Sequence, residues 1–176
     1  MTVRSNVTAN LEGMILAGEV ELALCPVLPD SPLLTREPYR PSKLVLFVAK
    51  DDPLCKKKTL TLADIAKRPL VIRSGAEKKG GTATLLKRFS ECGNVPKIAL
   101  RSDQPEAIKE AVRRRSGIGV LYYATIESAL KHGAFKALKV RDLEIEGQFY
   151  IVYHKTRALS AHALEFLRLL RKQCKR

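Results

Sequence analysis

Residues 7–26 read VTANLEGMILAGEVELALCP, and this stretch decides the fold because it passes from helix to strand across one glycine. Thr8 marks a helix start, since its hydroxyl can accept from an orphan backbone N–H one turn ahead. Leu11, Met14 and Ile15 recur at i, i+3 and i+4, one face of a helix. Gly18 enters the left-handed region without steric cost and ends that helix. Val20, Leu22 and Leu24 then alternate as an inward strand set, and Pro26 closes the strand because it cannot donate to a ladder.

The same alternation continues outward along the chain. Residues 25–41 carry five prolines and read as a connector without room for a helix. KLVLFVAK, 43–50, is a continuous apolar run, as expected of a strand covered on both faces. Thr61 caps a short helix, with Asp64 in its first turn. LVIRS, 70–74, is a buried strand, and GAEKKGG is a loop leading into a helix whose apolar side is Leu85, Leu86 and Phe89. PKIALRS, 96–102, precedes a helix with Pro105 at its first position and Ala107, Ile108, Ala111 and Val112 inward. After the turn and short strand of GIGVL, 117–121, a helix is expected from Thr125 to Gly133. FKALKV and QFYIVYH are strands, and Ser160 caps a last helix with Ala163, Leu164, Leu167 and Leu170 inward. Strand and helix alternate throughout, which predicts an α/β fold with a parallel or mostly parallel sheet. Ligands of such sheets collect at the carboxyl ends of the strands, where helix N-termini point.

Composition narrows the function classes. The chain of 176 residues has room for one core or two small lobes, and nearly half of it is apolar. No apolar run approaches the roughly 20 residues of a bilayer span, so no membrane association is expected. MTVRSNVTAN has no apolar export region, which predicts a cytoplasmic protein. Cys25, Cys55, Cys92 and Cys174 form no C-x-x-C pair, and the three histidines share no ligand spacing, so neither a disulfide framework nor a metal is expected. A nucleophile elbow, a P-loop and a dinucleotide fingerprint are all missing, so catalytic residues and cofactors are expected to be none. The net charge of +14 gathers in Lys56-Lys57-Lys58, Lys78-Lys79, Arg113-Arg114-Arg115 and the closing RLLRKQCKR. Such clusters attract polyanions, or serve as solvated faces; no aromatic residues are interleaved to stack bases.

Five motifs in order resemble the effector-binding domain of LysR-type transcriptional regulators, which has the type II periplasmic-binding-protein fold. LAGEVELAL matches L-x-x-G-x-L-D-x-A with Glu21 for Asp, and LVLFVAKDDPL matches a strand followed by h-P-L with Asp52 where His is common. TLTLADIAKRPLVI matches T-L-A-D-L-A and its strand, and GNVPKIAL matches G-x-x-P-x-I. VRRRSGIGVLY matches V-x-x-G-x-G-I-A-x-L-P, with Arg115 for the first glycine and Tyr122 for the closing proline. The family's winged helix-turn-helix, its linker helix and the first strand and helix of the domain have no counterpart here.

The resemblance implies two Rossmann-like lobes on a two-strand hinge, residues 1–50 with 146–176 and residues 51–145, and a small-molecule effector in the cleft between them. It implies no enzyme, but a sensor for a carboxylate-bearing effector, acting as a homo-oligomer, most simply a dimer. DNA would be bound only through a head outside this chain. Helix starts supply amides for an anion, and the family pattern puts contacts at such starts. The effector-binding residues expected are therefore Thr8, Cys25, Arg73, Gly80, Gly81, Thr82, Ser102, Asp103, Gln104 and Ile118. The alternatives are a stand-alone solute-binding protein of the same fold and a basic nucleic-acid-binding module.

Overall fold

The computed structural model describes residues 8–26 and 30–174. The chain divides into two compact units, Met1–Pro41 with Gly147–Arg176, and Ser42–Glu146.

Unit 1 contains α1 (Thr8–Ala17), β1 (Leu22–Cys25), the first half of β2 (Leu34–Ala49), β7 (Glu146–His154) and α6 (Ala161–Cys174). Its strands lie in the order β1-β7-β2, with β1 antiparallel to β7 from Leu22↔Tyr153 to Cys25↔Tyr150. Gly18 ends α1 at φ 78°, as its position demanded. The last carbonyls of α1 do not go unmet, because the Arg157 guanidinium donates to Ile15 O at 2.7 Å and Leu16 O at 2.9 Å.

Two expectations need correcting in this unit. Val20 lies before β1, which starts at Leu22, and the inward set of the strand is not only Leu22 and Leu24, because the sheet is covered on both faces. Ala23, Cys25 and Val152 pack with Ile15 of α1, while Leu22 and Ile151 pack with Leu167 and Leu170 of α6, and Leu24 is left 39% exposed. The second correction concerns residues 34–41, expected to be a connector and found to be strand, through both Pro38 and Pro41. Pro38 and Pro41 stand three residues apart and so turn their nitrogens to opposite edges of the strand. The outer position of β2 in unit 1 spares a ladder bond at one of them. On α6, Leu164 faces solvent although Ala163, Leu167 and Leu170 are buried.

Unit 2 contains the rest of β2, α2 (Leu62–Ala66), β3 (Leu70–Arg73), α3 (Gly81–Glu91), β4 (Ile98–Ser102), α4 (Pro105–Arg113), β5 (Ile118–Tyr122), α5 (Tyr123–Lys131) and β6 (Phe135–Ala137). The strand order is β2-β5-β3-β4, with β6 also on β2. β5, β3 and β4 are mutually parallel, whereas β2 is antiparallel to β5 and β6, so the sheet is mixed rather than mostly parallel. Helical crossovers make the parallel part.

Both faces of this sheet are covered. Leu46, Leu70, Ile72, Ile118 and Val120 pack beneath Ile65 of α2 and Leu85 and Phe89 of α3. On the other face Phe47, Val71 and Leu121 meet Ile108 and Val112 of α4 and Ile126 of α5. Ala107, expected in the inner stripe of α4, is exposed, because the buried positions follow the Ile108–Val112 spacing one step around the helix. The capping box expected at α2 is present: Thr61 Oγ1 accepts from Asp64 N–H, and the Asp64 carboxylate accepts from Thr61 N–H.

Candidate functional site

β5, β3 and β4 run side by side in the same direction, and each leads directly into a helix. The starts of α5, α3 and α4 are therefore gathered along one edge of unit 2, the carboxyl edge of its parallel strands. Each start solves the problem of its unpaired amides differently.

The start of α3 has the barest chemistry. Gly80 is its N-cap at φ 86°, a conformation closed to most side chains, and it supplies no side-chain cap. The first amide, Gly81 N–H, donates instead to the Tyr122 hydroxyl at 2.9 Å, across from the end of β5. A Cβ on Gly81 would meet that hydroxyl at 2.9 Å and a Leu44 methyl at 3.3 Å, so glycine is required for the approach. Thr82 follows with only 5% of its surface exposed, and its hydroxyl makes no hydrogen bond among the described residues. Its oxygen is not sealed off, since among the described residues the one fully buried side-chain oxygen or nitrogen without a hydrogen bond is Glu77 Oε2, so the Thr82 hydroxyl is able to reach a ligand.

At α4, Pro105 occupies the first position as expected, with Gln104 as a cap that makes no side-chain bond. Ser102 Oγ accepts from Gln104 N–H at 3.1 Å, so its hydroxyl is engaged in turning the chain. Asp103 and Gln104 are exposed. At α5, which begins at Tyr123 and not at Thr125, Ala124 N–H donates to Ser42 Oγ at 3.1 Å from β2. That cap is supplied from far along the chain, so the local sequence around Thr125 did not carry it.

Charge at this edge is mixed. Arg73, last residue of β3, is half-buried; burial lowers its pKa while the Asp103 carboxylate opposes the shift. Glu77, in the β3–α3 loop, pairs with Arg101 at 3.3 Å and keeps its second carboxylate oxygen buried without a hydrogen bond. The edge thus offers donors in the α3 amides, Thr82 and Arg73, beside acceptors in Asp103 and Glu77. Among the described residues no group of three His, Cys, Asp or Glu side chains is placed to hold a metal, and no helix is long and apolar enough to cross a membrane.

Of the ten residues singled out from the sequence, seven lie at this edge: Arg73, Gly80, Gly81, Thr82, Ser102, Asp103 and Gln104. Ile118 belongs to unit 2 but is fully buried in its core, so its side chain has no surface to offer a ligand. Cys25 lies in unit 1, 2% exposed and packed with Ile15 and Val152; none of the four cysteines is in a disulfide. Thr8 begins α1 in unit 1, and its side chain lies outside the described residues. Tyr122 was missed as a site residue. Its signal was present, since tyrosine stands where the resembling motif closes on proline.

Two substituted motif residues are also explained. Glu21 receives Ser160 N–H at 2.6 Å and the Ser160 hydroxyl at 2.9 Å, tying β1 to the start of α6. Asp52 is buried, accepts from Leu54 N–H at 2.9 Å and meets Arg68 at 3.2 Å.

Residues 1–175 match the family of the LysR substrate binding domain. The chain is 30% identical over 158 residues to the RuBisCO operon transcriptional regulator of Allochromatium vinosum, covering 89% of this chain and 51% of that protein. It is 30% identical over 125 residues to the HTH-type transcriptional activator CmpR of Synechocystis sp., covering 70% and 40% respectively. The chain therefore spans about half the length of the curated relatives it matches. Among solved structures, the effector-binding domain of QuiR in complex with shikimate superposes with a TM-score of 0.76 at 22% identity, covering 96% of this chain and 78% of that one. The regulatory domain of CcmR from Synechocystis PCC6803, in complex with 2-PG, gives 0.75 at 21% identity, covering 94% and 79%. At these identities the likeness is one of fold.

Proposed function

The chain belongs to the LysR substrate-binding domain family, and on that premise we propose that it is the ligand-sensing domain of a transcriptional regulator. The observation that carries this reading is the family match over residues 1–175, nearly the whole chain. The effector is a small acid whose oxygens are received at the carboxyl edge of unit 2 by Thr82, the α3 amides and Arg73. Support comes from the unpartnered Thr82 hydroxyl at a glycine-capped helix start and from relatives in complex with shikimate and 2-PG. The Asp103 and Glu77 carboxylates set a condition: the effector also presents a donor, such as a hydroxyl, to the acidic side of the edge. A free inorganic anion satisfies only half of that pattern.

Sensing rather than catalysis is the role in this reading, in a cytoplasmic regulator that acts as a dimer and reaches its operator through a DNA-binding segment not contained in these residues. An effector can shift such a regulator only by its differential affinity for two states. Thermal unfolding with shikimate, 2-PG and inorganic phosphate tests the site. A hydroxylated acid should raise Tm more than phosphate at equal concentration, and Thr82→Val should abolish the rise while leaving the unliganded Tm within a few degrees. No rise with any acid, or a rise undiminished in Thr82→Val, overturns the assignment.

A further inference from the structure

The basic residues clustered in the sequence are not scattered evenly over unit 2. Segment 55–60, CKKKTL, and segment 136–141, KALKVR, lie side by side and run in the same direction. Three contacts fix them: Lys136 Nζ to Cys55 O at 3.4 Å, Leu60 N–H to Lys139 O at 2.9 Å, and Arg141 N–H to Leu60 O at 2.7 Å. Six cations, Lys56, Lys57, Lys58, Lys136, Lys139 and Arg141, are thereby brought onto two adjacent rows, all exposed, with no carboxylate in either segment. Lys57 is paired, with Asp64 at 3.0 Å; the other five form no ion pair among the described residues. Like charges on neighbouring segments repel, so this arrangement raises the energy of the folded chain unless an opposite charge meets it.

We propose that these paired basic rows are a docking surface for the phosphate backbone of duplex DNA. Cys55 and Lys56 close a 3-10 turn and the rows are only partly extended, so each spans less than the roughly 20 Å of six extended residues, still a length over which a duplex presents several phosphate charges. The other polyanions fit less well. None of the exposed large apolar side chains lies in either segment, so nothing is available to insert into a lipid surface. Neither segment contains an aromatic residue on which unpaired bases of a single strand would stack. The contact is to backbone alone, which positions a duplex without reading its sequence. The surface shares no residue with the effector edge, so it stands or falls independently of the sensor reading.

Binding of the 176-residue chain to a random-sequence duplex, followed by fluorescence anisotropy from about 50 to 200 mM salt, tests the proposal. Retention at the low end is expected, with a log–log salt slope of about −5 for six contacts. The triple variant Lys56→Ala, Lys58→Ala, Lys136→Ala should make that slope shallower by about 3 and weaken binding at least about a hundredfold at low salt. Replacing the same three by arginine should preserve both. Lys155→Ala with Arg168→Ala and Lys172→Ala, a charge loss of equal size in unit 1, should have a small effect. No retention at about 50 mM salt, equal loss in the unit 1 triple, or tighter binding to phosphatidylserine vesicles than to the duplex would each overturn it.

Discussion

The two units are closed by different chemistry. Unit 1 is laced by side chains reaching across long stretches of chain. Glu37 on β2 takes two bonds from Arg171 of α6 and one from the Tyr153 hydroxyl of β7, and Tyr39 bonds Gln173 at 2.8 Å. Arg157 and Glu21 tie α1 and α6 into the same sheet. Unit 2 relies instead on close packing, with Phe47, Phe89, Leu70, Ile72 and Ile108 all fully buried around its strands. The difference teaches that a thin three-strand unit needs directional bonds to fix its helices, whereas a sheet covered by four helices is fixed by shape.

The sharpest way to break that contrast is at Gly119 of β5. It stands opposite Phe47 of β2, and a Cβ there would come within 2.3 Å of the ring. No small shift of a fully buried aromatic relieves such an approach. Gly119→Ala should cost about 3 kcal/mol, measured as a lowered denaturant midpoint. Combining it with Phe47→Leu should recover part of that loss through a coupling term. A midpoint within error of the parent protein would mean that the packing of unit 2 is far looser than described.

The corresponding change in unit 1 is Glu37→Gln, which keeps the shape and removes the charge. The expected loss is about 1–2 kcal/mol, smaller than in the packed unit because the partners remain able to reach water. The bond from Arg171, with one from Tyr153, holds the Glu37 carboxyl below its usual pKa against the opposing effect of burial. A carboxyl depressed in the folded state stabilises above its unfolded pKa, and that stability is lost as pH falls through the folded value. The gap in stability between the parent protein and Glu37→Gln should therefore be full at neutral pH and narrow below about pH 4.5. A gap that persists unchanged into acid would make the contact one of shape rather than charge.

These two regions also differ in how much of them was legible in the sequence. In unit 2 the strands, their order along the chain and the glycine-capped start of α3 follow from local patterns of apolar residues and turn formers. What escaped was supplied from afar: Ser42 capping α5, and Tyr122 receiving the Gly81 amide, are contacts across 82 and 41 residues. In unit 1 two prolines lie inside the strand β2, so the usual breaker signal pointed the wrong way. The covering of both faces hid the inward set of β1, because both alternating sets are buried against different helices. Periodicity reads one packed face well. It does not report a second face or a distant hydroxyl.

Arg115 joins both regimes and gives the smallest expected effect. It follows α4 at φ 59°, and the closing bonds Arg115 N–H to Val112 O and Ser116 N–H to Ala111 O, both 2.9 Å, are those of a glycine-type helix stop. The resembling motif has glycine here, and this chain holds arginine in the same left-handed turn, with its guanidinium paired to Asp51. That conformation costs a residue with a side chain roughly 1–2 kcal/mol, of which glycine's extra freedom in the unfolded chain takes back about half. The exposed ion pair returns little of the difference. Arg115→Gly should therefore stabilise unit 2 by about 0.5 kcal/mol, whereas Arg115→Ala, which loses the same ion pair and keeps the strain, should not. If both variants lose stability equally, the pair with Asp51 outweighs the backbone, and unit 2 depends on a directional bond in the manner of unit 1.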